Sequence, residues 1–104
     1  SAGLAFTLAI LDRMTPGRLT GDGRVAVTGT IEIDGSVGPV GGVEHKARAA
    51  IREGATLMLV PSDEYAAAVA AADGRLQVVA VDSLDEALAA LEAHGGSGLP
   101  ASPD

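Results

Sequence analysis

The side chains in this chain that could do chemistry are a lysine, a threonine and a serine, since there is no cysteine. Lys46 ends the run Gly38-Pro39-Val40-Gly41-Gly42-Val43-Glu44-His45-Lys46, in which the paired glycines open a predicted helix. On a wheel of about 100° per residue, Val43, Ala47, Ala50 and Ile51 form an apolar stripe with Lys46 on its edge. Glu44, His45, Arg48 and Arg52 fall on the other side. An amine so placed either snorkels to water along its methylene stem or is kept uncharged for use. Lysine works as a general base only if its ordinary pKa of about 10.4 is brought toward neutrality, a change of roughly 4 kcal/mol that aliphatic burial can supply.

A neutral amine still has N–H donors to orient, so a hydroxyl is expected beside it. Thr28 is the candidate. On a predicted strand its side chain shares a face with Ala26 and Thr30, opposite Val25, Val27 and Gly29. The nucleophile would also be a hydroxyl, and Ser1 stands at the start of the first predicted helix, where backbone N–H groups can help hold an oxyanion. Taken singly, each residue has a plainer role: a cap for Ser1, a strand residue for Thr28, a snorkelling cation for Lys46.

The elements that must position these residues follow from the pattern. Residues 2–14 are apolar nearly all round up to Asp12 and predict a buried helix, ended by Thr15-Pro16-Gly17; a polar loop, 18–24, follows. Val25 to Ile33 alternates and is β-branched, predicting one strand, and Asp34-Gly35 is a hairpin signal leading into residues 36–40. A helix is expected over 43–53, closed by Gly54. Residues 56–60 form a continuous apolar run, a buried strand bounded by Pro61. Ser62 reads as the N-cap of an alanine-rich helix to Ala72, stopped by Asp73-Gly74. Residues 76–81 read as another strand. Asp82-Ser83 caps a last helix, 84–93, with Leu84, Leu88 and Leu91 on one face. From His94 the segment has little to bury, predicting a flexible tail over 94–104. A hairpin followed by alternating strands and helices predicts an α+β (mixed α/β) fold of hairpin and βαβα layers.

At 104 residues the chain suits one domain, with an aliphatic core because it holds one Phe, one Tyr and no Trp. A net charge of −7 with seven scattered Lys and Arg residues argues against nucleic acid or an anionic membrane as partner. The most apolar run, residues 2–11, is about half the roughly 20 residues a spanning helix needs, so no membrane insertion by this chain is expected and it should be soluble. The start at Ser1 without an initiator methionine suggests a piece of a larger protein. Gly21-Asp22-Gly23 precedes a strand instead of joining strand to helix, so it is no dinucleotide fingerprint. Lys46 lacks the direct Gly-Lys-Ser/Thr succession of a phosphate loop. Glu44, His45 and His94 have no metal spacing. No cofactor and no metal are expected.

Several blocks occur in order: Ser1-Ala2-Gly3, Val27-Thr28-Gly29-Thr30-Ile31, Asp34-Gly35-Ser36-Val37, Gly38 to Ala47, and Ala55 to Pro61. Together, from Ser1 to about Leu91, they resemble the proteolytic domain of Lon proteases, in particular the Lon-like peptidases of actinobacteria that lack an ATPase and carry a PDZ domain. The resemblance implies Ser1 as nucleophile, Lys46 as base and Thr28 as its support. It further implies a serine endopeptidase with a Ser-Lys dyad acting on protein substrates, without cofactor, in a homo-oligomeric ring. Residues 1–93 would be the C-terminal part of that domain. The family pattern continues upstream of the serine with residues this chain does not contain, so an N-terminal part of the same domain is an expected partner, and the 104 residues alone are expected to be inactive. The parent would be membrane-anchored if of the PDZ-containing kind. The rival readings are a non-catalytic module of this fold, which loss of the serine or lysine would favour, and an inactive processed fragment.

Overall fold

The computed structural model describes residues 3–5, 7–8, 25–32, 34–38 and 41–94. Three parallel strands make the central sheet, in the order β1 (Val25–Val27), β4 (Leu57–Val60), β5 (Gln77–Ala80). Val25 pairs with Leu57, and Leu57 in turn with Gln77, so the three strands run in register from a common end. β2 (Thr30–Ile31) and β3 (Val37–Gly38) form a separate antiparallel hairpin, with Thr30 opposite Gly38 and Ile31 opposite Val37. Three helices follow: α1 (Val43–Arg52), α2 (Tyr65–Ala72) and α3 (Leu84–Ala93). The α+β class expected from the pattern is the class observed.

β4 shows why the sheet forms. It is covered on both faces, and all four of its side chains, Leu57 to Val60, are buried. A strand between two apolar layers needs no polar face, and the continuous run LMLV reads that way. Alternation sends Met58 and Val60 to one side with Val43, Ala47 and Ala50 of α1 and Ala68 and Ala72 of α2. Leu57 and Leu59 go to the other, with Leu88 and Leu91 of α3 and with Leu4 and Leu8. Each fully buried Leu, Val or Met side chain contributes about 1.5–3 kcal/mol, so these two layers hold the fold. Small residues on α1 and α2 let their backbones approach the sheet and each other.

The predicted strand over 25–33 is not one strand. It breaks after Val27, because Gly29 adopts φ +138°, which turns the chain out of the parallel sheet into the hairpin. The hairpin then docks on the start of α3: Val37 N–H donates to the Asp82 carbonyl at 2.8 Å and Leu84 N–H to the Gly35 carbonyl at 2.9 Å. The helix from Ser62 is also corrected. Residues Ser62–Glu64 form a 3₁₀ turn and the α-helix begins at Tyr65, since the Ser62 hydroxyl bonds the Asp82 carboxylate instead of capping a helix. Ser83 does cap α3, accepting from Glu86 N–H at 3.1 Å. The first predicted helix is helical at 3–5 and 7–8; its remainder, the loop 18–24 and residues 95–104 lie outside the described residues. His94 was expected in the tail, yet it ends α3, and its ring meets the Thr56 hydroxyl at 3.1 Å.

Candidate active site

Thr28 extends β1 by one more ladder bond, its N–H donating to the Leu59 carbonyl at 3.1 Å. Strand alternation then sets its side chain on the face of Ala26, under α1, as the sequence pattern predicts. It is 1% exposed, the one buried polar side chain among the described residues. A buried hydroxyl without a partner is costly, by about 1–3 kcal/mol. Here the partner is Lys46, whose Nζ donates to Thr28 Oγ1 at 3.4 Å.

Lys46 reaches Thr28 because of how α1 begins. Gly41 and Gly42 have φ of 70° and 69°, the left-handed region, where a side chain would cost about 1–2 kcal/mol per residue. Gly42 is the N-cap, and its carbonyl accepts the Lys46 N–H at 3.1 Å. Lys46 therefore stands in the first turn, half-buried between Val43 and Ala47, both fully inside, and the exposed Glu44 and His45. A helix start favours anions, so a lysine here is placed against the local electrostatic preference and held by what its amine touches.

Gly3 and Leu4 lie against the same turn. The Leu4 N–H donates to the Gly29 carbonyl at 3.3 Å, and a Cβ on Gly3 would come within 3.3 Å of the Ile31 nitrogen. Ser1 itself lies outside the described residues. Of the three residues singled out from sequence, the structure brings together Lys46 and Thr28.

Sequence reasoning missed a second polar group nearby in the topology. Ser62 N–H donates to Asp82 Oδ1 at 3.2 Å, the Ser62 hydroxyl bonds Asp82 Oδ2, and Asp82 N–H donates to Glu86 Oε1 at 2.6 Å. Thr28, Ser62 and Asp82 each follow the carboxyl end of a parallel strand by one or two residues. Open α/β sheets bind their ligands at that edge, so the Lys46–Thr28 pair stands where such a fold places chemistry. The signal in the sequence was the polar residue after each apolar run, read as caps alone. Among the described residues no cluster of His, Asp or Glu could hold a metal ion, and no helix is long and apolar enough to cross a membrane.

Comparison with known proteins identifies the family. A profile of the Lon protease (S16) C-terminal proteolytic domain matches residues 1–93. The chain is similar to Lon protease 2 of Bacillus subtilis (strain 168), 34% identical over 85% of this chain and 15% of that protein. It is similar to the Lon protease of Trichlorobacter lovleyi, 33% identical over 99% of this chain and 14% of that one. With the archaeal Lon protease of Archaeoglobus fulgidus it shares 36% identity over 64% of this chain and 11% of the relative. The chain thus spans less than a sixth of the length of these relatives.

Proposed function

This chain belongs to the Lon protease (S16) C-terminal proteolytic domain family, and on that premise we propose that it carries the Ser-Lys dyad of a serine endopeptidase. Lys46 takes the proton of the Ser1 hydroxyl as Ser1 attacks the carbonyl of a peptide bond. Backbone N–H groups hold the oxyanion. The proton passes to the leaving amine, and water then releases the acyl-enzyme. Thr28 orients the amine and touches no substrate.

The observation that carries the reading is the 3.4 Å bond between Lys46 Nζ and a threonine hydroxyl that is 1% exposed. A lysine that only snorkelled would have its amine in water; this one turns inward to a buried oxygen. Close to the serine in sequence, Leu4 N–H bonds the carbonyl of Gly29, the residue after Thr28, and Gly3 stands against the Thr30–Ile31 backbone. The substrate is a protein, residues 1–93 are the C-terminal part of the domain, an upstream segment completes it, and the subunits assemble as a ring; the family likeness supports these points. The narrower likeness to the ATPase-less, PDZ-containing peptidases rests on the sequence blocks.

The test is Lys46→Ala in the whole protein that contains this chain, assayed on an unfolded protein substrate. Removing a general base costs about 10²–10⁴-fold in turnover. The expected loss is of that size with the melting temperature retained; undiminished turnover rejects the dyad.

A further inference from the structure

A cavity whose lining includes neither Lys46 nor Thr28 lies between α1 and the turn after α2. It has a volume of about 280 Å³ and is lined by Arg48, Ile51 and Arg52 of α1, by Ala71 of α2, and by Asp73 and Arg75 in the turn that follows. Of the four Lys and Arg residues among the described residues, Lys46 serves Thr28 and the other three line this cavity. The gathering is unexpected in a chain of net charge −7, where cations could each sit beside an acidic neighbour. On α1, Arg48 stands four residues after Glu44, a spacing at which opposite charges attract, and four before Arg52, a spacing at which like charges repel. The structure shows no ion pair for Arg48, Arg52 or Arg75 among the described residues.

We propose that this cavity is a binding site for a phosphate group. Three guanidinium charges against the single carboxylate of Asp73 leave two positive charges, which matches the charge of about −1.5 to −2 on a phosphate group at neutral pH. A lone carboxylate would leave one of them unbalanced. Guanidinium groups offer planar forks of N–H donors that fit phosphate oxygens in pairs, and three from two elements can surround one group. Ile51 and Ala71 supply an apolar wall, and the size suits a free phosphate, a diphosphate or the phosphoryl end of a small organic molecule. A long polyanion is disfavoured by the acidity of the rest of the chain. Arg52 has a competing structural role, since it stands in the last turn of α1 where a cation complements the helix dipole. Arg48 lies in the middle of α1 and Arg75 in the turn after α2, away from that helix end, which makes them the residues to change.

Calorimetric titration of the whole protein with inorganic phosphate, diphosphate and glycerol phosphate at low salt tests the site. The expected result is saturable binding of one anion per chain, weakened at least ten-fold in the Arg48→Ala/Arg75→Ala protein and weakened again by added sodium chloride. The Arg48→Lys/Arg75→Lys protein keeps the charge and loses the forks, and is expected to bind between the two. Tighter binding of glycerol phosphate than of inorganic phosphate assigns an organic phosphate as ligand; equal or weaker binding assigns the free anion. Absence of saturable binding by all three anions overturns the proposal, as does equal binding by the double-alanine protein. Because the readout is anion binding and not peptidase turnover, its failure is separate from any failure of the Ser-Lys reading.

Discussion

Thr28 asks two things of its side chain at once. The side chain is buried, so its shape must fit the interior, and its hydroxyl meets the Lys46 amine. Thr28→Val keeps the shape and removes the acceptor. The expected outcome in the whole protein is an unfolding free energy within about 1 kcal/mol of the native value, but a fall in peptidase turnover of about ten-fold, with Thr28→Ser restoring most of it. A role in packing alone would show the reverse, with serine the worse of the two. Asp34 is a second residue whose chemistry is local. Hydrogen bonds with Ser36, from its side chain first and then its backbone, hold the Asp34 carboxyl below its ordinary value of 3.8. The folded state thus favours the carboxylate, so its contribution is complete above pH 3.8 and is lost as pH falls through the lowered value. Acid unfolding followed by circular dichroism is expected to show an advantage of the native protein over Asp34→Asn above that pH, shrinking below it; a difference constant with pH would contradict the charge argument.

Among the elements, the break after β1 does most to set the site. Gly29 sits at φ +138°, and a Cβ there would lie 2.7 Å from Val37 Cγ1. Gly29→Ala combines backbone strain of about 1–3 kcal/mol with overpacking of about 1–3 kcal/mol. The expected loss is about 2–6 kcal/mol in chemical denaturation. Turnover is expected to fall with it, since the same turn holds Thr28 and receives Leu4. A neutral substitution would mean that the hairpin does not depend on this backbone geometry. The hairpin matters beyond itself, because its bonds to Asp82 and Leu84 tie the start of α3 to the strand that carries Thr28.

For the molecule as a whole, the two apolar layers lie on opposite faces of the sheet, and β4 is its middle strand. Its backbone pairs with both neighbours, whereas β1 and β5 each pair on one side among the described residues. Native-state hydrogen exchange is therefore expected to find the Leu57–Val60 amides the slowest, opening only with global unfolding, and those of the β2–β3 hairpin faster. Exchange from β4 as fast as from the hairpin would show that the layers do not unfold as one unit.

The amino-acid sequence by itself determined the element types, the aliphatic two-faced burial of β4, the wheel position of Lys46 and the blocks that place the chain in its family. These depend on local pattern: period 2 or 3.6, glycine at helix ends, and residue order. Ser62 shows the limit of such reading, because the cap signal is the same whether the hydroxyl faces its own helix or a carboxylate 20 residues away. Thr28 shows it again: alternation gave its face and the needs of a neutral amine nominated it beside Lys46, but the 3.4 Å approach joins residues 18 apart that no local pattern brings together. Only the tertiary structure decided that one predicted strand is two, that Lys46 turns inward to a buried hydroxyl, and that three arginines share a cavity. Those outcomes join residues up to 27 apart in the chain, such as Arg48 and Arg75, and are settled by the packing of α1 and α2 on the sheet, which no local window contains.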